Sequence, residues 1–178
     1  MAKKDWYMKN RVKLILALTV LTAFPLVSTL YADSGKTLEI TVTIRDGNND
    51  NPMMVLWLET DAGDFVQTLH MYSKRKTHYE KLRGWASKSK DAEKPDDIDA
   101  VSGATVGWNQ SSTISIPAQI GTIDLLNGKY VFRIESRTHF GENSRSLTIP
   151  LSEDYTGSAY EDIGSMKSVN IKVKDKAN

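Results

Sequence analysis

The segment Asp99-Ala-Val-Ser-Gly-Ala-Thr105 holds the residues whose types and spacing best suit chemistry. It ends in a hydroxyl, Thr105, which follows three small residues and lies six positions after the carboxylate of Asp99. Gly103 and Ala104 present almost no side chain, and glycine reaches backbone conformations that are closed to other residues. An enzyme could therefore bring a group in line with the Thr105 oxygen and transfer it there. The alternative for the same residues is a polar loop that carries an ordinary Ser-Gly turn.

The same segment resembles the acceptor motif Asp-x-x-(Ser/Thr)-Gly-Ala-(Thr/Ser), on which flavin transferases build a covalent FMN. The resemblance implies a phosphoester bond between the FMN phosphate and Thr105. It also implies that Asp99, Ser102, Gly103 and Ala104 are recognised by the transferase. Phosphoryl transfer depends mostly on positioning and electrostatics, with metal ions neutralising the developing charge. Asp99 could position either the acceptor or such a metal.

Three tryptophans, Trp57, Trp85 and Trp108, are candidates either for the core or for stacking against a flavin ring. Trp57 is assigned to the core because it lies in an apolar run. Trp108 comes three residues after Thr105, so it is the aromatic residue best placed to contact a cofactor there. Burial in the core is the alternative interpretation of Trp108.

The N-terminus has the pattern of an export signal. Five basic residues come before or at position 13, and an apolar run from Leu14 to Leu30 follows, interrupted by Pro25. Ala32 supplies a small residue at a cleavage position, so we assign residues 1–32 to a signal peptide and residues 33–178 to a single domain. An uncleaved anchor is the alternative, but a run of 17 residues is at the lower limit for crossing a bilayer. The expected location is periplasmic or otherwise exported.

We expect export to remove residues 1–32, because a basic start, an apolar run and a small residue together make a cleavable signal. N-terminal sequencing of the secreted protein should begin at or near Asp33. A mature protein that retains Leu14–Leu30 and fractionates with membranes would contradict this prediction.

Composition excludes several classes of function. After removal of residues 1–32 the chain carries 18 basic and 21 acidic residues, a net charge of −3, without a basic patch, so nucleic acid is not an expected partner. The absence of cysteine excludes disulfides and lipoprotein anchoring. The histidines His70, His78 and His139 lack metal-ligand spacing, so no metal site is predicted. The sequence shows no nucleophile–base pair, which places a hydrolase third among the candidate functions.

The hydrophobic pattern predicts a mainly β fold. Alternation over 37–45, 129–136 and 168–174 indicates half-buried strands, and Met53–Thr60 is a nearly continuous apolar run typical of a central strand. Phe65–Tyr72 completes a hairpin with that run. Further strands are predicted at Ser111–Ile116 and Ser146–Leu151, with a turn at Asn127-Gly128. About seven short strands favour an immunoglobulin-like two-sheet sandwich.

One short helix is expected near residues 78–86, where Tyr79, Leu82 and Trp85 have helical spacing. Gly84 weakens that prediction, since glycine is a poor helix former. The polar segment Ser87–Asp99 is predicted to be an exposed loop with the acceptor-like motif at its end.

The order of these features resembles the predicted periplasmic proteins of domain-of-unknown-function family 2271, over roughly residues 37–175. The features are a strand near Trp57, an aromatic segment from Tyr72 to Trp85, the acceptor-like motif, and the closing strand Asn127–Glu135. The resemblance implies an immunoglobulin-like fold and an association with flavin transferases and with membrane proteins of the PepSY type.

Two functions of different classes follow from the residues and the resemblance. The first is an exported electron-transfer protein that carries FMN on Thr105. The second is a non-catalytic immunoglobulin-like module that binds a PepSY-type membrane redox partner without carrying flavin itself.

Overall fold

A computed structural model describes residues 35–47, 52–73, 76–93, 98, 102–103, 106–138 and 144–175. These residues form two packed β-sheets and a short α-helix, which confirms the predicted mainly β sandwich. The strands are β1 (Lys36–Ile44), β2 (Pro52–Thr60), β3 (Phe65–Tyr72), β4 (Ser102–Gly103), β5 (Ser111–Pro117), β6 (Gln119–Ile120), β7 (Ile123–Asp124), β8 (Tyr130–Thr138), β9 (Arg145–Pro150), β10 (Gly157–Ile163) and β11 (Met166–Asp175). A 3-10 helix (Lys76–Lys81) and helix α1 (Arg83–Ser89) lie between β3 and β4. The predicted signal peptide over residues 1–32 lies outside the described residues.

The first sheet has the strand order β10-β11-β1-β5, and every pair in it is antiparallel. Its inner face is set by the alternation on β1, where Leu38, Ile40 and Val42 are fully buried. The residues between them face away from the second sheet, and Thr41 and Thr113 pair their hydroxyls there at 2.9 Å. The alternation of apolar and polar residues in the sequence therefore matches the alternation of inward-facing and outward-facing residues along the strands of this sheet.

The second sheet has the order β4-β3-β2-β8-β9, with β2 in its centre. Strand β2 is buried on both faces, which explains its nearly continuous apolar sequence. Alternate residues of β2 belong to two hydrophobic clusters. The inner core lies between the two sheets and includes Leu56 and Phe132. The outer cluster covers the other face of this sheet and consists of Met53, Val55, Trp57, Met71, Leu82, Trp85 and Ile98.

The predicted helix near 78–86 is present as two pieces. The 3-10 helix ends at Lys81, and α1 begins at Arg83 after Leu82, whose backbone has φ −82° and ψ 75°. Leu82 is fully buried, and together with Trp85 it closes the outer cluster. The helical spacing correctly grouped the residues that pack together, while the non-helical ψ of Leu82 divides the helix into two pieces.

Three further differences separate the fold from the prediction. Strand β10 was missed, because it lies at the edge of the first sheet and lacks alternation in burial. The two-residue strands β6 and β7 were missed as well, being too short to show a pattern. Within the segment predicted as the loop Ser87–Asp99, α1 continues to Ser89 and Ile98 is buried. The turn at Asn127-Gly128 is confirmed, with Gly128 at φ +78°.

Candidate functional site

The acceptor-like motif lies at one edge of the second sheet. Ser102 and Gly103 form β4, which pairs in parallel with Met71 and Tyr72 at the end of β3. The other predicted site residues of the motif, Asp99, Ala104 and Thr105, lie outside the described residues. The structure thus places two of the five motif residues, through their backbone, at a sheet edge.

The residues that flank the motif are buried on opposite faces of the second sheet. Ile98, directly before Asp99, is 6 % exposed and belongs to the outer cluster. Val106, directly after Thr105, is 7 % exposed and belongs to the inner core. The described stretch between them, Ser102–Gly103, is β4 at the edge of this sheet.

Trp108 lies where the chain enters β5. It is partly buried against the inner core, and its indole contacts the backbone of Gly47, where an added Cβ would come within 2.7 Å of the ring. The Asn109 amide donates a hydrogen bond to the Arg45 carbonyl at 3.3 Å, which holds this turn against the end of β1. These contacts give Trp108 a packing role. Stacking of Trp108 on a flavin stays a prediction.

A cavity of about 590 Å³ opens beside the first anchor of the motif, and we call it the outer cavity. Its lining comes from the two helical segments and from the stretch that leads to the motif. The lining residues are Thr77, Tyr79, Glu80, Trp85, Ala86, Ser89, Lys90, Glu93 and Ile98. Tyr79 and Trp85 meet edge to face, with ring centroids 6.0 Å apart. The outer cavity therefore has an aromatic wall, and one of its lining residues, Ile98, directly precedes Asp99 in the sequence.

Helix α1, which forms one wall of the outer cavity, is held at its start by Glu135 of β8. Glu135 is 1 % exposed, and its carboxylate accepts hydrogen bonds from the amides of Gly84 at 3.3 Å and Trp85 at 2.9 Å. The first amides of a helix lack partners within it and favour a negative charge. A Cβ on residue 84 would lie 3.0 Å from Glu135 Oε2, so glycine allows this close approach.

The Trp85 ring is oriented by a chain of hydrogen bonds. Its Nε1–H donates to Thr68 Oγ1 at 2.8 Å, and the Thr68 hydroxyl donates to the Glu93 carboxylate. The Thr68 amide, on the part of β3 that β4 does not cover, donates to the same carboxylate at 2.6 Å. Glu93 thereby gives the Thr68 amide a hydrogen-bond partner and, through the Thr68 hydroxyl, holds the Trp85 ring in the wall of the outer cavity.

A buried carboxylate at the end of β2 also binds the helix. Glu59 is 3 % exposed, accepts a hydrogen bond from Trp57 Nε1 at 2.7 Å, and forms an ion pair with Lys88 of α1 at 2.8 Å. Arg133 lies 3.8 Å from the second Glu59 oxygen and 5.8 Å from the Trp57 ring centroid. Sequence reasoning missed Glu59 and Glu135. The signal that could have found Glu59 is a charged residue two positions after a core tryptophan, on the same face of a strand.

The inner face of β3 carries a half-buried histidine next to a tyrosine. His70 packs edge to face on Tyr72, with ring centroids 4.5 Å apart, and the Tyr72 hydroxyl donates to Ser112 of β5 at 2.6 Å. His70 Nε2 is buried without a hydrogen-bond partner. Burial lowers the pKa of His70 and raises the pKa of Tyr72, because both charged forms lose hydration.

The lowered pKa of His70 predicts a loss of stability in mild acid. Below pH 6.5, the ordinary value, the unfolded chain binds a proton at this site more readily than the folded chain. The free energy of unfolding should therefore fall as the pH drops from 6.5 through the lower folded value. Urea unfolding between pH 5 and 8 should show a smaller decline for His70→Gln than for the wild type. Equal declines below pH 6.5 would contradict the prediction.

Within the described ranges, no three histidine, aspartate or glutamate side chains lie close enough together to hold a metal ion. A search of the same ranges finds no helix long and apolar enough to cross a bilayer.

A protein-family model matches most of the chain. The family model described as "Predicted periplasmic protein (DUF2271)" covers residues 36–168. No curated protein and no solved structure matches the chain.

Proposed function

The chain belongs to the DUF2271 family of predicted periplasmic proteins, and we propose that it is an exported electron carrier with FMN attached covalently to Thr105. The observation that carries the proposal is the acceptor-like motif itself, in a protein of an exported family. The backbone of its described residues Ser102 and Gly103 forms the edge strand of the second sheet. A transferase needs such a position, because the acceptor backbone must enter its active-site cleft.

The attachment is a phosphoryl transfer with a flavin transferase as the enzyme and flavin adenine dinucleotide as the donor. The Thr105 hydroxyl oxygen bonds to the phosphorus of the FMN half. The bond from that phosphorus to the bridging oxygen breaks, and AMP leaves with the bridging oxygen. The hydroxyl proton passes to a base of the transferase. Once bound, FMN supplies reversible electron uptake, and this chain sets the exposure and potential of the flavin.

The surroundings of the motif suit a flavin. Small-molecule sites typically have volumes of about 300–1,000 Å³ and mostly apolar walls. The outer cavity, with Tyr79, Trp85 and Ile98 in its lining, meets both conditions and adjoins the start of the motif. Trp108, on the inner side, adds a third aromatic ring, three residues after Thr105 in the sequence.

The intact mass of the purified mature protein tests the proposal. After co-expression with a flavin transferase of the covalent type, the mass should increase by one FMN residue. A mass that matches the unmodified chain, in cells where the transferase modifies a known substrate, would refute the attachment.

A groove between the two sheets, along β3, favours the second candidate. That candidate is a module that binds a PepSY-type membrane redox partner without flavin. This groove has a volume of about 540 Å³ and runs between β3 and the β5–β6 corner, with Leu69 and Ile120 in its lining. Leu69→Asp should weaken capture of the detergent-solubilised partner, whereas Thr113→Ala, on the outer face of the first sheet, should not. Undiminished capture by Leu69→Asp would count against this surface.

A further inference from the structure

We infer that two copies of the chain pair with each other through the outward edge of β5 (Ser111–Pro117), antiparallel and about a two-fold axis at Thr113. The pairing joins the four-stranded first sheets of the two copies into one continuous sheet of eight strands. It is an interaction of the chain with a second copy of itself, and it does not depend on attachment of FMN.

The backbone of β5 has one bonded side and one outward side. Strand β5 is the last strand of the first sheet and, among the described strands, pairs with β1 alone. The Ala118 amide, directly after β5, donates to the Lys36 carbonyl at 2.9 Å, and the Gln110 carbonyl, directly before β5, accepts from the Ile44 amide at 2.9 Å. Backbone groups of successive strand residues point to alternate sides, so the even-numbered residues of β5 bond to β1. The outward-facing N–H and C=O groups belong to the odd-numbered residues Ser111, Thr113 and Ser115.

The composition of this edge suits pairing with itself. At a two-fold axis the same surface of both copies meets, so a charged side chain there would face a like charge. No residue from Ser111 to Pro117 is charged, and the register of β5 with β1 has no irregularity. The opposite edge strand of the same sheet, β10, carries Glu161 and Asp162, and Asp162 has φ +58°. Charges and irregular backbone oppose the addition of a strand, and β5 has neither.

The residues at the two ends of β5 select the register. With the axis at Thr113, this residue faces its own copy, and Ser111 faces Ser115 of the second copy. Each of these pairs exchanges two backbone hydrogen bonds. Pro117, which has no N–H, then falls opposite Asn109, whose φ of +58° lies outside the strand region. A shift by two residues places either Pro117 against Ser111 or Asn109 against Ser115, and hydrogen bonds are lost.

The edge is already ordered in the single chain. The Tyr72 hydroxyl on β3 donates to Ser112 Oγ at 2.6 Å, which ties β5 to the second sheet. On the outer face, the hydroxyls of Thr41 and Thr113 are 2.9 Å apart and join β5 to β1. A strand that is already extended avoids the cost of ordering its backbone when the second copy binds.

Sedimentation equilibrium of the mature chain, produced without a flavin transferase, tests the inference. The average mass should rise from one chain toward two as the concentration increases. Thr113→Lys should raise the dissociation constant at least tenfold, because two ammonium groups then face each other across the axis. The matched control is Ser168→Lys, on the same outer face but two strands away from the edge and opposite Glu161, and it should leave the constant unchanged. Far-UV circular dichroism of each variant checks that the sandwich is intact.

Disulfide cross-linking tests the register, since the chain has no cysteine of its own. In a hydrogen-bonded antiparallel pair the Cα atoms are about 5.5 Å apart, which a disulfide can span. Mild oxidation of Thr113→Cys should therefore give a covalent dimer. A mixture of Ser111→Cys with Ser115→Cys should also give one, whereas Ser111→Cys alone should give little, because the two copies of residue 111 lie at opposite ends of the paired strands.

The outcomes separate pairing with a second copy from other uses of this edge. A chain that stays monomeric up to sub-millimolar concentration overturns the inference. A dimer that survives Thr113→Lys, or that cross-links through Ser111→Cys alone, overturns it too, because the contact then lies elsewhere or in another register. The groove of the second candidate function borders Ser115. A monomer that loses capture of the solubilised PepSY-type partner in Thr113→Lys would assign the edge to that partner instead.

Discussion

Replacing Thr105 with alanine should abolish covalent flavin completely. The side-chain oxygen is the atom that the phosphoester would use, so alanine leaves nothing to esterify. We expect the fold to persist, because the sequence predicts an exposed loop here, and substitutions in exposed loops usually change stability by only about 0.5 kcal/mol. Flavin fluorescence of the band on a denaturing gel, after co-expression with a transferase, measures the result directly.

Two controls sharpen this experiment. Thr105→Ser retains a hydroxyl and should retain flavin, whereas Thr113→Ala removes an exposed threonine hydroxyl on β5 and should have no effect. Asp99→Ala should lower the loaded fraction without removing the acceptor, as expected for a recognition residue. A Thr105→Ala protein that still fluoresces after denaturation would show that another residue is the acceptor.

Replacing Glu135 with alanine should destabilise the protein by about 3 kcal/mol, because a buried carboxylate and its two hydrogen bonds to amides at the start of α1 are lost together. The Gly84 and Trp85 amides would then lack this partner, and the wall of the outer cavity should loosen. Urea unfolding of the mature chain gives the free-energy difference.

The matched control for Glu135 is Glu161 on β10, an exposed glutamate at the edge of the other sheet. Glu161→Ala should lie within about 0.5 kcal/mol of the wild type. If both glutamate variants have the same stability, the cap on α1 contributes little, and the outer layer must be held chiefly by Leu82 and Trp85.

The sandwich was predictable because its central strands carry strong patterns. Leu38, Ile40 and Val42 alternate on β1, and the nearly continuous apolar run of β2 correctly predicted a central strand. Strand β10 was not predictable, since an edge strand needs no apolar face. The break at Leu82 was not predictable either, since Tyr79, Leu82 and Trp85 keep helical spacing across it.

The candidate site was predictable in its motif but not in its surroundings. The small residues around Gly103 have a local signature, so the sequence alone singled them out. Glu93 and Glu135 have no such signature, because each acts on a strand or helix at least 25 positions away along the chain. The family match covers the motif and supports an exported location, and it leaves the chemistry to experiment.

The hydrogen bonds from Thr68 to Glu93 also bear on how copies of the protein behave toward one another in a crowded compartment. An unpaired strand edge is a template on which a second chain can add a strand, and such additions lead to aggregates. Strand β4 covers β3 at Met71 and Tyr72, and farther along the strand Glu93 occupies the Thr68 amide and places a carboxylate there. An incoming strand would have to displace that carboxylate. The contact that orients the Trp85 ring therefore also opposes edge-to-edge association.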